Sequence, residues 1–209
     1  MYCSDIVRDM VRLTHHYPAS SINPVIKMII MSDIFFWSAW YTVLPILSIF
    51  IVQEVPGASV ETAAFGFSFY LLARVAASIV GSKFCAHARD SRKVFMIIYA
   101  ILILNIAYVL MAFTRSIFSI YMFYTIIGMG IGLASPIRSA LFSTHLDKNK
   151  ETFEWALLDS VILIGIAICS IVSGVIIRDY GYTTLFLLAT FFNFLSIFPY
   201  FAYKHMHRI

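Results

Sequence analysis

Six long hydrophobic runs occupy most of this 209-residue chain. They extend over residues 25–52, 62–82, 94–113, 117–137, 156–177 and 183–203. The hydrocarbon core of a bilayer is about 30 Å thick, and about 20 helical residues cross it at about 1.5 Å each. Because the backbone must satisfy its own hydrogen bonds inside lipid, runs of this length are helices. The sequence therefore predicts an all-α membrane protein with six transmembrane helices.

The basic residues fall on alternate connections between these runs. Only 12% of the chain is charged, compared with about 25% in soluble domains. Twelve basic residues share one predicted side of the membrane: Arg8, Arg12, Lys27, Lys83, Arg89, Arg92, Lys93, Arg138, Lys148, Lys150, Lys204 and Arg208. The connections on the other side hold only two basic residues, Arg115 and Arg178. Since basic loops stay in the cytoplasm, we predict a plasma (inner) membrane protein with both termini cytoplasmic.

The same pattern divides the chain into three parts. Residues 1–24 are a predicted cytoplasmic segment, 25–203 a single six-helix domain, and 204–209 a short basic tail. In the first part Ile6, Met10 and Leu13 recur at roughly helical spacing, so this segment is either an interfacial amphipathic helix or a plain cytosolic lead-in.

Several kinds of active site are missing from the sequence. All six histidines lie outside the hydrophobic runs: His15, His16, His87, His145, His205 and His207. An intramembrane serine protease would need a histidine base beside a buried serine. A potassium-channel filter and a phosphate-binding glycine loop are absent as well. We therefore expect no enzyme activity, no cofactor, no metal site and no nucleic-acid partner.

Two ionisable residues lie well inside the runs. Asp33 in the first and Arg74 in the second are about equally far from the predicted cytoplasmic face, about 13 Å at 1.5 Å per residue. A lone charge there costs at least about 2.5–3.5 kcal/mol, so we predict that they pair. The pair is either a substrate or proton site or a structural pin. Trp37 and Tyr70, each one turn away, either line the same cavity or simply pack.

Other polar and small residues are weaker candidates. Asn105, in the third run, either lines a cavity or bonds a neighbouring helix. Small residues and prolines that permit close helix packing or bending are Gly128, Gly130, Gly132, Pro136, Gly165 and Gly174. Arg138, Glu154 and Asp159 flank the fourth connection, where they either form a cytoplasmic latch or anchor the interface.

The order of these features resembles one half, the N-terminal one, of a major facilitator superfamily transporter, over residues 22–203. The loop between the second and third runs carries a matching motif in Gly81, Arg89, Asp90, Arg92 and Lys93, with Cys85 in place of the usual aspartate. In the fourth run Gly128 and Gly130 match a glycine pattern, with Tyr124 at its arginine position. Gly165 and Gly174 fit the fifth helix, and residues 179–186 the start of the sixth.

The resemblance implies a secondary transporter that moves an unidentified small solute by alternating access. It also implies a 3+3 internal repeat and a cavity lined by helices one and four, including Tyr124. Such transporters have two halves with the solute between them. The implied partners are the lipid bilayer, a solute and a second six-helix half, most simply another copy in a parallel homodimer. The alternative is a membrane assembly partner or a transporter remnant that moves nothing.

Overall fold

The computed structural model describes residues 22–206 of the chain, and these residues form helices joined by short turns. The helices are α1 (Pro24–Glu54), α2 (Val60–Cys85), α3 (Asp90–Phe113), α4 (Ile117–Ser143), α5 (Glu151–Leu195) and α6 (Phe198–Met206). The predicted amphipathic segment before Ile22 and the last residues of the basic tail lie outside the described residues.

Helix starts follow local signals in the sequence. The side chain of Asn23 accepts a hydrogen bond from the Val25 amide at 2.9 Å, and Pro24 occupies the first helical position of α1. Ser59 and Thr62 form a reciprocal capping box at the start of α2. Both devices satisfy amide groups that a helix N-terminus leaves without partners.

Among the described residues, five helices are long and apolar enough to cross a membrane, the last of them being α5 counted together with α6. This finding confirms the all-helical membrane prediction. The helices exceed the predicted runs at several ends. The largest difference that matters for the site is in α4, which continues to Ser143 instead of ending at residue 137.

Helix α5 is interrupted at Gly181, whose backbone angles are φ 79° and ψ 175°. Before the break, a Cβ added at Gly165 would lie 2.8 Å from the Ser38 hydroxyl of α1. At the break, the Tyr182 hydroxyl donates to the Gln53 side chain at 2.6 Å. After it, Ser32 donates to the Ser196 carbonyl at 2.8 Å. The first arm of α5 thus runs along α1 in one direction, and the second arm returns along it in the other. The two arms lie antiparallel to each other, and both contact α1.

The helices pack as two pairs joined by a third element. Helix α2 packs most extensively against α4, and α1 against α5, while α3 contacts both α4 and α5. The α2–α4 contact is very close, because a Cβ added at Gly128 would overlap the Tyr70 carbonyl oxygen and one at Gly132 the Arg74 carbonyl oxygen. Small residues thus let two helix backbones meet directly.

The remaining small-residue candidates divide by location. Gly130 faces Leu104 of α3, Pro136 lies against Gly81 of α2, and Gly165 faces α1 as described above. Gly174 is exposed, and no described atom lies within 4 Å of a Cβ added there. Gly174 therefore packs against no other helix within the described part of the chain, and its predicted packing role stays a prediction.

The break in α5 yields a direct test. Gly181→Ala should destabilise the fold by about 1–3 kcal/mol, because its backbone angles fall in a region that only glycine adopts readily. Thermal unfolding of the purified protein in detergent measures the effect. The matched control is Gly174→Ala, a helical and exposed position where alanine should be neutral or slightly stabilising. Equal midpoints for the two variants would contradict the observed reversal at Gly181.

Candidate functional site

A cavity of about 550 Å³ opens between α1, α4 and the first arm of α5. Each helix contributes one face to its wall. The lining side chains combine aromatic, hydroxyl and charged groups: Asp33, Trp37, Tyr41, Ser135, Arg138, Ser139, Phe142, Trp155, Ala156, Leu158, Asp159, Ile162, Leu163 and Ile166. Apolar walls with a few converging polar groups are typical of sites for small molecules.

An ion pair lies at the wall of this cavity, between Asp33 of α1 and Arg138 of α4. The two side chains are only 8% and 5% exposed, respectively. The Arg138 guanidinium also lies over the Phe36 ring, 4.0 Å from its centroid. Its Nε and Nη1 atoms have no hydrogen-bond partner among residues 22–202. The pair is thus a compact, buried dipole with donor capacity left over.

The predicted pairing of Asp33 with Arg74 is wrong. Arg74 instead donates from Nη1 to the Tyr70 hydroxyl at 2.9 Å, and its guanidinium lies 5.9 Å from the centroid of the Trp37 ring. The reason is the length of α4. Because this helix continues to Ser143, Arg138 belongs to the helix and not to the loop after it. Its side chain, and not that of Arg74, pairs with Asp33.

The predicted cavity residues separate into two groups. Trp37 lines the cavity. Tyr70 is buried, with its ring 5.0 Å from Trp40 and 5.5 Å from Phe67, so it packs between α1 and α2 outside this cavity. Its hydroxyl nevertheless connects it to Arg74 and, through Arg74, to the Trp37 side of the cavity wall.

Asn105 and Tyr124 lie away from the cavity. Asn105 accepts a hydrogen bond from Asn193 of α5 at 3.0 Å, and Asn193 also donates to the Ile101 carbonyl at 3.3 Å. This contact joins α3 to the second arm of α5. Of the two roles predicted for Asn105, the bond to a neighbouring helix is thus the one observed. Tyr124 is buried, with its ring against Gly66 of α2. Its prediction as a cavity residue is therefore wrong.

The predicted latch between α4 and α5 has a different arrangement. Arg138 pairs with Asp33, as described above. Glu154 is fully buried and accepts a hydrogen bond from the Asp147 amide at 3.1 Å, so it closes the α4–α5 turn. Asp159 is exposed in the cavity wall and forms no ion pair with another described residue. The three side chains therefore do not form one cluster.

The motif between α2 and α3 lies at the helix ends next to the start of α1. Gly81 packs against the Leu133 carbonyl of α4, and Asp90 forms an ion pair with Lys93 at 2.9 Å. Arg89 and Arg92 are exposed, and Cys85 is buried at the end of α2. His145 at the end of α4 approaches Asp90 to 3.8 Å, and its carbonyl accepts from Asn23 at 3.2 Å. Polar contacts thus connect the ends of α1, α3 and α4.

Sequence reasoning missed several cavity residues, chiefly Tyr41, Ser135, Ser139 and Trp155. Helical spacing contained the necessary signal. Asp33, Trp37 and Tyr41 follow each other at intervals of four, and residues 135, 138, 139 and 142 share one face of α4. Applying this spacing to α4 required knowing that the helix extends past residue 137.

The chain matches known proteins both in sequence and in fold. The sequence model of the Major Facilitator Superfamily matches residues 29–207. No curated protein sequence matches the chain. Among solved structures, the POT family transporter PepTSo is similar with a TM-score of 0.75 and 17% identity, covering 87% of this chain and 37% of that one.

An auto-inhibited POT family peptide transporter is similar as well, with a TM-score of 0.71 and 15% identity over 86% of this chain and 37% of that chain. At these identities the similarity shows a shared fold. This chain spans 37% of the length of either structure.

Cysteine labelling tests whether the cavity holds water. In a variant with the native cysteines replaced by serine, Ser139→Cys in the cavity wall should react quickly with a charged maleimide. Ile103→Cys on α3 is the matched control, because Ile103 is 42% exposed yet lies outside this cavity, on a surface that lipid would cover. The reaction needs a hydrated thiolate, so it should be slow there. Equal rates at both positions in a lipid bilayer would contradict a water-filled cavity.

Proposed function

The chain belongs to the Major Facilitator Superfamily, and from this membership we propose that it forms one six-helix unit of a secondary transporter. The proposed activity is movement of a small solute across the membrane by alternating access. Membership in a superfamily of transporters also agrees with the expectation that the chain is not an enzyme.

The buried ion pair in the cavity wall is the observation that carries this proposal. A charge inside a membrane-spanning segment costs at least about 2.5–3.5 kcal/mol, and such residues usually mark substrate or ion pathways. Asp33 and Arg138 come from two different helices and meet where a cavity of about 550 Å³ begins. Neutralising Asp33 with a proton would release Arg138, whose guanidinium would then be free to bind a solute or to let α1 and α4 move apart.

The two arms of α5 support the proposal of six membrane crossings. The first arm and the second arm with α6 each reach about 35–45 Å at 1.5 Å per residue, which exceeds a hydrocarbon core of about 30 Å. With six crossings both ends lie on one side, and the positive residues favour the cytoplasmic side of the plasma membrane.

The helix pairing supports the 3+3 repeat. Exchanging the first three crossings for the last three turns the contacts of α1 with the two arms of α5 into contacts of α4 with α2 and α3, and α4 packs against both of these helices. Repeats of this kind are nested within the halves of major facilitator transporters.

The cavity is open on one side, where a second six-helix unit would complete it. Buried residues make up 50% of the apolar stretches of α1, α3 and α4, but 22% in α2 and 6% in α5. Helices α2 and α5 therefore have the largest faces left for a partner. Because the proposed crossings are even in number, two copies insert in the same orientation, and a parallel homodimer related by a twofold axis would enclose the cavity.

One observation favours the alternative of a membrane protein that assembles with others and transports nothing. Cys85 stands where the family motif has an aspartate, and it is buried at the end of α2. The charge network that an aspartate would form there is therefore absent. The two proposals differ in whether the reconstituted protein produces any solute flux.

Counterflow in proteoliposomes tests transport. Vesicles that contain the full chain, at a density where photobleaching reports two protomers per particle, are loaded with an unlabelled metabolite extract. They are then placed in an isotope-labelled extract of the same kind, and mass spectrometry identifies what enters. We expect at least one solute to accumulate and its uptake to depend on an imposed pH gradient.

Asp33→Asn resembles the protonated aspartate, so it should abolish the response to the pH gradient while counterflow persists. Asp179→Asn is the control, because Asp179 pairs with Arg178 at an exposed position far from the cavity. Unchanged fluxes and pH dependence in Asp33→Asn would rule out the proton role. A complete absence of flux from dimers of the unaltered chain would favour the assembly role.

A further inference from the structure

Arg74 is a cation at mid-membrane depth with no anionic partner among residues 22–202. Asp33, the carboxylate predicted for it, is occupied by Arg138. Its guanidinium donates a hydrogen bond to Tyr70 at 2.9 Å and lies over the Trp37 and Tyr70 rings, 5.9 Å from the centroid of each. These contacts orient the group but do not neutralise its charge.

The guanidinium is held near the middle of α2. Arg74 lies about 21 Å along the axis from Val60 and about 16 Å from Cys85, at 1.5 Å per residue. Long cationic side chains near the ends of a membrane helix usually extend toward the nearer interface. Here the hydrogen bond to Tyr70, one turn closer to Val60, holds the side chain toward mid-membrane. A lipid headgroup, which lies outside a hydrocarbon core about 30 Å thick, is too far away to supply the missing charge.

The α2 backbone at Arg74 is held in place by its contact with α4. Its carbonyl oxygen lies against Gly132 of α4, and the Tyr70 carbonyl lies against Gly128, so α2 cannot shift toward α4. Tyr70 itself is buried between Trp40 and Phe67. The free nitrogens of a guanidinium held in this way are prepared for a bidentate acceptor, the geometry that carboxylates and phosphates offer.

We propose that Arg74, held by Tyr70 and Trp37, binds the oxyanion group, a carboxylate or phosphate, of a solute that enters the cavity. Arg74 itself does not line the cavity, but Trp37 belongs both to the cavity wall and to the surroundings of Arg74, so a solute would pass this ring to meet the guanidinium. The inference rests on the proposed transport function and specifies its solute class. The Asp33–Arg138 pair, by contrast, is neutral overall and needs no further anion.

Thermal unfolding of the full chain in neutral detergent micelles tests the proposal without requiring transport. The probes are sodium phosphate and sodium benzoate, each compared with sodium chloride at equal ionic strength. Because a ligand that binds only the folded state stabilises it by mass action, at least one oxyanion should raise the midpoint of the unaltered chain. Arg74→Gln should abolish this rise, and Arg74→Lys should reduce it. Arg178→Gln, which removes an exposed arginine, should retain it.

Tyr70→Phe supplies a second variant that keeps the charge and most of the packing. It should weaken oxyanion binding by about tenfold, the loss expected for a hydrogen bond to a charged group. Without any oxyanion, Arg74→Gln should also unfold at a higher temperature than the unaltered chain, because it removes an uncompensated cation.

Four results would overturn the proposal. One is the lack of any oxyanion-specific shift in the unaltered chain, and another is a shift that Arg74→Gln retains in full. The third is a lower midpoint with loss of dimers in Arg74→Gln, which would assign the counter-charge to a second copy. Stabilisation by added phosphatidylglycerol but by neither soluble anion would likewise assign it to lipid. Failed counterflow together with Arg74-dependent oxyanion binding would refute transport and leave the binding site intact.

Discussion

The Asp33–Arg138 ion pair connects the two helix pairs from which the fold is built. Asp33 belongs to α1, which packs on α5, and Arg138 belongs to α4, which packs on α2. A carboxylate or guanidinium buried alone at this depth would be unstable, and removing one member of a buried pair typically costs about 3–5 kcal/mol. The pair therefore fixes the distance between α1 and α4 while it holds, and that distance sets the width of the cavity.

The close contact between α2 and α4, unlike the ion pair, joins two helices that stay together. Gly128 and Gly132 bring the two backbones together without side chains between them, so α2 and α4 behave as one rigid unit. A motion that opened the cavity would therefore separate α1 and α5 from α2 and α4, with the ion pair as the contact that breaks. Arg74 is carried on the rigid unit, and Trp37 beside it is carried on α1.

The length and polarity of the hydrophobic runs were enough to predict an all-helical membrane protein, and the ordered motifs predicted the superfamily, which the sequence match over residues 29–207 confirms. The partner of Asp33 was mispredicted for a local reason. Hydropathy falls after Pro136, yet Ile137, Leu141 and Phe142 are buried on the continuing helix, and this continuation buries Arg138. Asn105 shows a second limit, because its partner Asn193 is distant in sequence and only tertiary packing brings the two together. The cytoplasmic position of the termini stays a prediction.

A double-mutant cycle on the ion pair tests this account most directly. Unfolding is measured for the unaltered chain, Asp33→Asn, Arg138→Gln and the variant that carries both changes. If the two side chains stabilise each other, either single change leaves the other charge buried alone, and the double variant loses much less stability than the sum of the two single losses. Additive losses would mean that Asp33 and Arg138 do not interact, which would contradict the central role assigned to the pair.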